Sequence, residues 1–229
     1  GDATRLAREA AVVFGDLRHP GTRWGFGALA LSAGHLGDAV LAATAIEDLD
    51  AEPATPVSIV DVEVDRGRAW ALVAAGRRSA ARDLLGDAAE RARAKGQHSL
   101  EAGALHDVAR IGDATSVVSR LTELAAFVDG PLTAARNGHV RALAADDGDQ
   151  LDAASEAFVV MGARLFAAEA ATSAAAAHRR AGAERRAAAS EQTARRLAAE
   201  CQGASTPALR GGGAADPLTR REHEVAGLA

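Results

Sequence analysis

Residues 76–112 have the sequence GRRSAARDLLGDAAERARAKGQHSLEAGALHDVARIG. The stretch begins and ends on a glycine, and Gly96 interrupts it near the middle. Between residues 80 and 95 the apolar positions recur at the spacing of one helical face, with charged residues elsewhere, and they are Leu84, Leu85, Ala88 and Ala92. The stretch therefore predicts two helices with a break at Gly96.

The same arrangement recurs along the chain. The glycines predicted to mark a turn between two helical segments are Gly34, Gly76, Gly112, Gly148 and Gly182. From Gly76 onward their spacings are 36, 36 and 34 residues. A second set of breakers separates the units and consists of Gly96, Gly130, Gly162 and Gly203. The stretch from about residue 24 to residue 203 resembles the tetratricopeptide family, in which pairs of helices stack in tandem. The resemblance lies in the repeat period, in the glycine at each turn and in the many small residues.

The composition of the 229 residues agrees with this pattern. Sixty residues are alanine, the best helix former, whereas only 3% are aromatic and tyrosine is absent. Strand-forming residues are thus too scarce for a large β-sandwich or barrel. We predict an all-α fold, a tetratricopeptide-like helical-repeat solenoid of about five stacked antiparallel helix pairs, over residues 1–203.

The rare residue types exclude several functional classes. Lys95 is the only lysine and is followed by Gly96 and Gln97, so the chain contains no P-loop for ATP. The single cysteine, Cys201, forms no internal disulfide and fits a reducing, cytoplasmic setting. No apolar run is long enough to span a membrane, so no membrane partner is expected. Because the chain lacks both an initiating Met and a signal peptide, we interpret it as part of a longer protein.

The sequence offers no persuasive catalytic, cofactor or metal site. Residues 25–30 match the dinucleotide pattern G-x-G-x-x-A, but no strand precedes them, which favours a small-residue contact between helices. Residues 146–149 resemble a calcium loop only superficially and predict a turn with a helix N-cap. The seven histidines show no metal-binding spacing on one helix. We therefore predict that the chain is not an enzyme.

The character of the sequence changes after Gly203. Residues 204–216 contain Pro207 and a run of three glycines, which predicts a flexible linker. Residues 217–229, PLTRREHEVAGLA, then predict the start of a helix, with Thr219 as N-cap and Glu222 completing a capping box.

This C-terminal stretch resembles the opening helix of the LuxR-type helix-turn-helix. The residues that carry the resemblance are Leu218, Thr219, Arg221, Glu222, Glu224 and Val225, while Arg220 replaces the usual proline. Joined to helical repeats, the motif is similar to the large ATP-binding regulators of the LuxR family. The resemblance implies a transcriptional regulator whose ATP site lies in an upstream domain and which contacts DNA only through the full-length protein. Since the recognition helix is absent, we expect no specific DNA binding by this chain.

The tetratricopeptide resemblance also implies a concave groove for a protein partner or a small-molecule effector. In the family, the residues that line this groove stand at fixed distances before each turn glycine. The same distances in this sequence give Trp24, Arg66, Trp70, His106, Arg110 and Arg179. Alternatively, the two tryptophans simply fill gaps between alanine-rich helices. The function predicted from the whole pattern is the regulatory repeat region of a LuxR-type regulator. A plain protein–protein interaction scaffold and an unrelated helical enzyme are the alternatives, and a homo-oligomer is compatible with each.

Overall fold

All regular secondary structure in the described residues is helical. The computed structural model describes residues 1–53 and 58–211. Eleven helices lie within these ranges: α1 (Asp2–Asp16), α2 (Thr22–Leu36), α3 (Ala39–Ala51), α4 (Ser58–Ala74), α5 (Arg78–Ala94), α6 (His98–Arg110), α7 (Ala114–Ala125), α8 (Pro131–Ala145), α9 (Gly148–Val160), α10 (Arg164–Arg180) and α11 (Glu184–Ala199). The all-α prediction is confirmed.

The helices pack in neighbouring pairs. Helix α1 precedes five pairs, α2–α3 to α10–α11, and the members of each pair contact one another. Helices α2, α4, α6 and α8 also pack against each other in series, and side chains of α10 reach α6. We refer to α2, α4, α6, α8 and α10 as the inner helices. Along α6, every residue from Glu101 to Arg110 is buried.

Most of the predicted turn glycines are confirmed, and two are wrong. Gly76, Gly112 and Gly182 all have positive φ and lie between helices. Gly34 instead lies inside α2, and the turn is made three residues later by Gly37, whose φ of 72° favours glycine. Gly148 begins α9, and Asp146 takes the left-handed position with φ 51°. The predicted N-cap in this turn is Asp147. Its carboxylate accepts a hydrogen bond from the backbone N–H of Gln150, with the nitrogen and oxygen 3.1 Å apart.

Glycines in α2 and α4 allow the two helices to approach closely. A Cβ on Gly34 would lie 2.6 Å from the Trp70 carbonyl oxygen, and a Cβ on Gly67 would overlap the Gly27 carbonyl oxygen. A Cβ on Gly25 would likewise lie 2.7 Å from the Cα atom of Ala11 in α1. The glycines of 25–30 are therefore contacts between helices. Gly34 was mistaken for a turn because this tertiary packing has no local signature.

Residues 204–211 of the predicted linker lie against the helices. The Ser205 amide donates to the His35 carbonyl oxygen at 2.7 Å, near the end of α2, where helical carbonyls lack an internal partner. Thr206 is fully buried, and Leu209 packs on the cluster that contains Phe158. The rest of the linker, the stretch 217–229 and its motif residues Leu218, Thr219, Arg221, Glu222, Glu224 and Val225 lie outside the described residues.

The start of α1 meets the turn after α11 at a seam. The Asp2 amide donates to Gln202 Oε1 at 2.6 Å, and Gln202 Nε2 donates to Asp2 Oδ2 at 2.8 Å. This pair of hydrogen bonds joins the start of α1 to the turn after α11, next to the Ser205–His35 contact. No helix in the described part of the chain is long and apolar enough to cross a bilayer.

Candidate binding site on the inner helices

A buried ionic network connects three inner helices. Arg66 Nε of α4 donates to Asp107 Oδ2 of α6 at 2.7 Å, and the other carboxylate oxygen accepts from Arg110 at 2.6 Å. Arg110 then donates twice to Glu169 of α10, at 2.7 and 2.9 Å. Asp107 and Arg110 are three residues apart, so they share a face of α6 and form part of one continuous chain of alternating charges.

The network lies in the interior, where charge must be compensated. The side chains of Asp107 and Arg110 are fully buried. Burial by itself would raise the pKa of Asp107, but the guanidinium groups of Arg66 and Arg110 outweigh it and hold the pKa well below its ordinary value. Asp107 is therefore ionised, and it is the shared anion that keeps the two buried arginines paired.

Aromatic rings cover the Arg110 guanidinium. Its carbon atom lies 4.5 Å from the centroid of the Trp70 ring and 4.6 Å from that of Phe166. This is the geometry of a cation–π contact. The ring of His35 meets Trp70 edge-on with centroids 4.3 Å apart, and His35 Nε2 lies 3.4 Å from a terminal nitrogen of Arg110. Burial, followed by the charge of Arg110, lowers the pKa of His35 to about 3, so its ring is neutral at pH 7.

Two histidines form a second buried contact beside the network. His106 Nε2 and His139 Nδ1 are 3.0 Å apart, and the rings of Phe158 and Phe166 surround them. Burial lowers the pKa of His139 to about 3 and that of His106 well below its ordinary value. Both rings are thus neutral, and one donates to the other. No cluster of three or more metal-ligating side chains occurs within the described ranges.

The structure brings four of the six predicted groove residues together. Arg66, Trp70, His106 and Arg110 are buried and belong to this one cluster. Trp24 is instead 46% exposed, and Arg179 pairs with Glu191 of α11 at 2.6 Å on an exposed surface. The four clustered side chains fill the space between the inner helices, with Trp70 fully buried.

Sequence reasoning missed the partners of these residues. Asp107, Glu169, His139, His35 and Arg136 all contribute to the cluster or its border. The i,i+3 spacing of Asp107 and Arg110 on a predicted helix was a usable signal for one pair. A lone Glu169 within an alanine-rich helix was another, because an isolated acid among apolar residues is buried only with a partner.

A cavity of about 300 Å³ lies at the seam, between α1, α2, α10 and the turn after α11. Its lining includes Thr4, Ser32, His35, Arg164 and Gln202. His35 lines this cavity and also lies against Arg110. The cavity is therefore adjacent to the buried network.

Collisional quenching should distinguish the two tryptophans. We expect iodide to quench Trp24, which is half-exposed, and to leave Trp70 nearly unquenched because the ion cannot reach it. Steady-state quenching of the wild-type chain and of Trp24→Phe measures the difference, and the variant should have a severalfold smaller quenching constant. Unfolded samples of both proteins serve as controls and should be quenched alike. Equal constants in the folded state would show that Trp70 is accessible.

Comparisons with known proteins find no match: no family model, no curated protein and no solved structure is similar to this chain.

Proposed function

We propose that this chain is the regulatory helical-repeat region of a LuxR-type transcriptional regulator and that it has no catalytic role. The observation that carries the proposal is the motif at 218–225, which follows a domain of paired helices, as a C-terminal helix-turn-helix would. The tetratricopeptide type of the repeat is part of the same proposal. In the full-length protein, binding of an effector or partner to the repeats would be relayed to the DNA-binding domain.

The anchoring of residues 204–211 supports such a relay. This segment leads toward the motif, and it is bound to the backbone of His35 beside the Asp2–Gln202 hydrogen bonds. A ligand that favours a different arrangement of the helices at the seam would therefore break the hydrogen bond between Ser205 and His35 directly. Coupling of this kind requires that the ligand bind two arrangements of the helices with different affinity.

The test uses an extended protein in which the helix-turn-helix is complete, as the proposal requires. We expect it to give a sequence-specific mobility shift that persists at about 200 mM salt, and we expect residues 1–229 to give none, because the recognition helix supplies the base contacts. In the extended protein, Gln202→Ala should change DNA affinity severalfold, whereas Arg195→Ala, which removes an exposed ion pair, should not.

Each outcome of this experiment bears on the proposal. An extended sequence without the remaining helices of the motif, or a salt-resistant shift by residues 1–229 alone, would refute the regulator assignment. An unchanged DNA affinity in Gln202→Ala would refute the relay through the seam.

A second candidate function, a protein-interaction scaffold, is favoured by the outer face of α1. This helix buries Ala7 and Ala11 but exposes Leu6 and Val13, and Leu17 directly after the helix continues this stripe; each of the three is more than half exposed. Exposed apolar stripes of this kind fit contacts with another protein surface. The scaffold becomes the preferred function if the extended protein lacks a helix-turn-helix.

A further inference from the structure

We propose that the inner helices carry a binding site for a small monoanionic oxyanion, a carboxylate, at Arg136 above the backbone of Gly103. The site adjoins the ionic network of Asp107, with which it shares Arg66, and it does not depend on DNA binding or on the regulator assignment. It is carried by a guanidinium group without a carboxylate partner, by a second guanidinium group beside the same buried glycine and by the local balance of charge.

The guanidinium of Arg136 lacks a partner. Arg136 lies on α8 and is partly buried, and its Nε atom is inaccessible to solvent and without a hydrogen bond. Within residues 1–53 and 58–211, none of its nitrogens is recorded in a hydrogen bond or ion pair, whereas Arg66 and Arg110 are each paired twice. A partly buried cation without a carboxylate partner is less stable than a paired one, so an anion at this position would stabilise the fold.

A second arginine faces the same space. Measured from the point where a Cβ on Gly103 would stand, the Arg66 terminal nitrogen lies at 3.6 Å and the two Arg136 terminal nitrogens at 3.7 and 3.8 Å. Two guanidinium groups thus come within 4 Å of one point beside the backbone of Gly103 on α6. Burial, and then the charge of Arg66, lowers the pKa of Arg136 to about 10, which shows that its cation is destabilised where it stands.

The charge balance favours a monoanion. The cluster holds three guanidinium groups, on Arg66, Arg110 and Arg136, and the carboxylates facing them are Glu63, Asp107 and Glu169. Because three charges of each sign already balance, one added negative charge is easier to accommodate than two. A guanidinium fork binds a carboxylate with two parallel hydrogen bonds, and the Nε donor of Arg136 has no acceptor. A carboxylate therefore fits better than a phosphate dianion.

Thermal unfolding in acetate tests the site. At matched ionic strength, we expect the midpoint to rise with acetate but not with chloride, by about 3–6 °C at ten times the dissociation constant. Phosphate should be at least tenfold weaker than acetate. A blocked aspartate-containing tripeptide separates two sources of the same group: tighter binding than acetate assigns the site to an acidic side chain, and weaker binding assigns it to a free small carboxylate.

Two variants separate binding from folding. Arg136→Met removes the unpaired charge, so we expect it to fold with an unchanged or higher midpoint in chloride and to lose the response to acetate. Gly103→Asp places a carboxylate from α6 between the two guanidinium groups, so it should raise the midpoint in chloride and also abolish the response. Arg195→Met, at an exposed ion pair, should respond to acetate like the wild-type chain.

The proposal fails if acetate and chloride act alike on the wild-type chain, or if Arg136→Met retains the full response to acetate. A phosphate response stronger than that of acetate would overturn the monoanion assignment. None of these results depends on the mobility-shift experiment, so the anion site and the regulator assignment can fail separately.

Discussion

Asp107→Asn is expected to lower the free energy of unfolding by about 3–5 kcal/mol. The Asp107 carboxylate is fully buried and accepts from Arg66 and Arg110, each through a different oxygen. The amide has nearly the same shape but no charge, so both buried guanidinium groups would lose their shared anion. Glu169 still pairs with Arg110, whereas Arg66 would keep only the partly exposed Glu63.

Chemical denaturation of the variant beside Asp50→Asn checks this expectation. Asp50 also pairs with an arginine, Arg68, but is more than half exposed, so its loss should cost less than about 1 kcal/mol. Equal effects of the two substitutions would mean that the Asp107 network contributes no more than a surface ion pair.

Acid denaturation should depend on the same carboxylate. Because the folded-state pKa of Asp107 is depressed, its contribution is fully present above the unfolded-state pKa of about 3.9 and is lost as the pH falls toward the folded-state value. The wild-type chain should therefore lose stability steeply below about pH 4, and Asp107→Asn should show a shallower slope there. Parallel slopes for the two proteins would contradict the depressed pKa.

Gly67→Ala is expected to lower the free energy of unfolding by about 3 kcal/mol, the upper part of the usual range for overpacking. Helix propensity alone predicts the opposite, since alanine is favoured over glycine by about 1 kcal/mol inside a helix. The tertiary contact reverses the sign. The added Cβ would overlap the carbonyl oxygen of Gly27, and backbone atoms on α2 cannot rotate away as a side chain would.

Gly138→Ala is the matched control for this substitution. Gly138 also lies inside a helix, α8, but a Cβ there meets nothing within 4 Å. We expect this variant to be more stable than the wild-type chain by about 0.5–1 kcal/mol. Denaturant titration of both variants measures the contrast, and a Gly67→Ala chain as stable as Gly138→Ala would rule out the close approach of α2 and α4.

Local sequence was sufficient for most of the helices. The predicted segment at 80–95 corresponds to α5, and the glycines at 76, 112 and 182 lie in turns with positive φ. These features depend on side-chain periodicity and turn chemistry within a few residues of each other. Gly34 and Gly148 were misplaced because glycine also serves close packing and helix starts, and only the neighbouring helix decides between these uses.

The candidate site could be predicted only in part. Four groove positions, Arg66, Trp70, His106 and Arg110, lie together, but the sequence pattern did not indicate that they are buried. Arg179 was predicted from the same repeat spacing, but it forms an exposed ion pair with Glu191. Repeat spacing specifies a position on a helix, whereas the packing of neighbouring helices determines whether that position is open or filled.

The sequence alone determined the helical class, most turns and the glycine-rich change of character after residue 203, because each depends on residues close together in the chain. Only the tertiary structure decided which charges are paired. Arg66 and Asp107 are 41 positions apart in the sequence, and Arg110 and Glu169 are 59 positions apart. The unpaired Arg136 lies on α8, next to Gly103 on α6. Burial makes these distant pairings energetically decisive, since a charge removed from water must be compensated by whatever the fold places beside it.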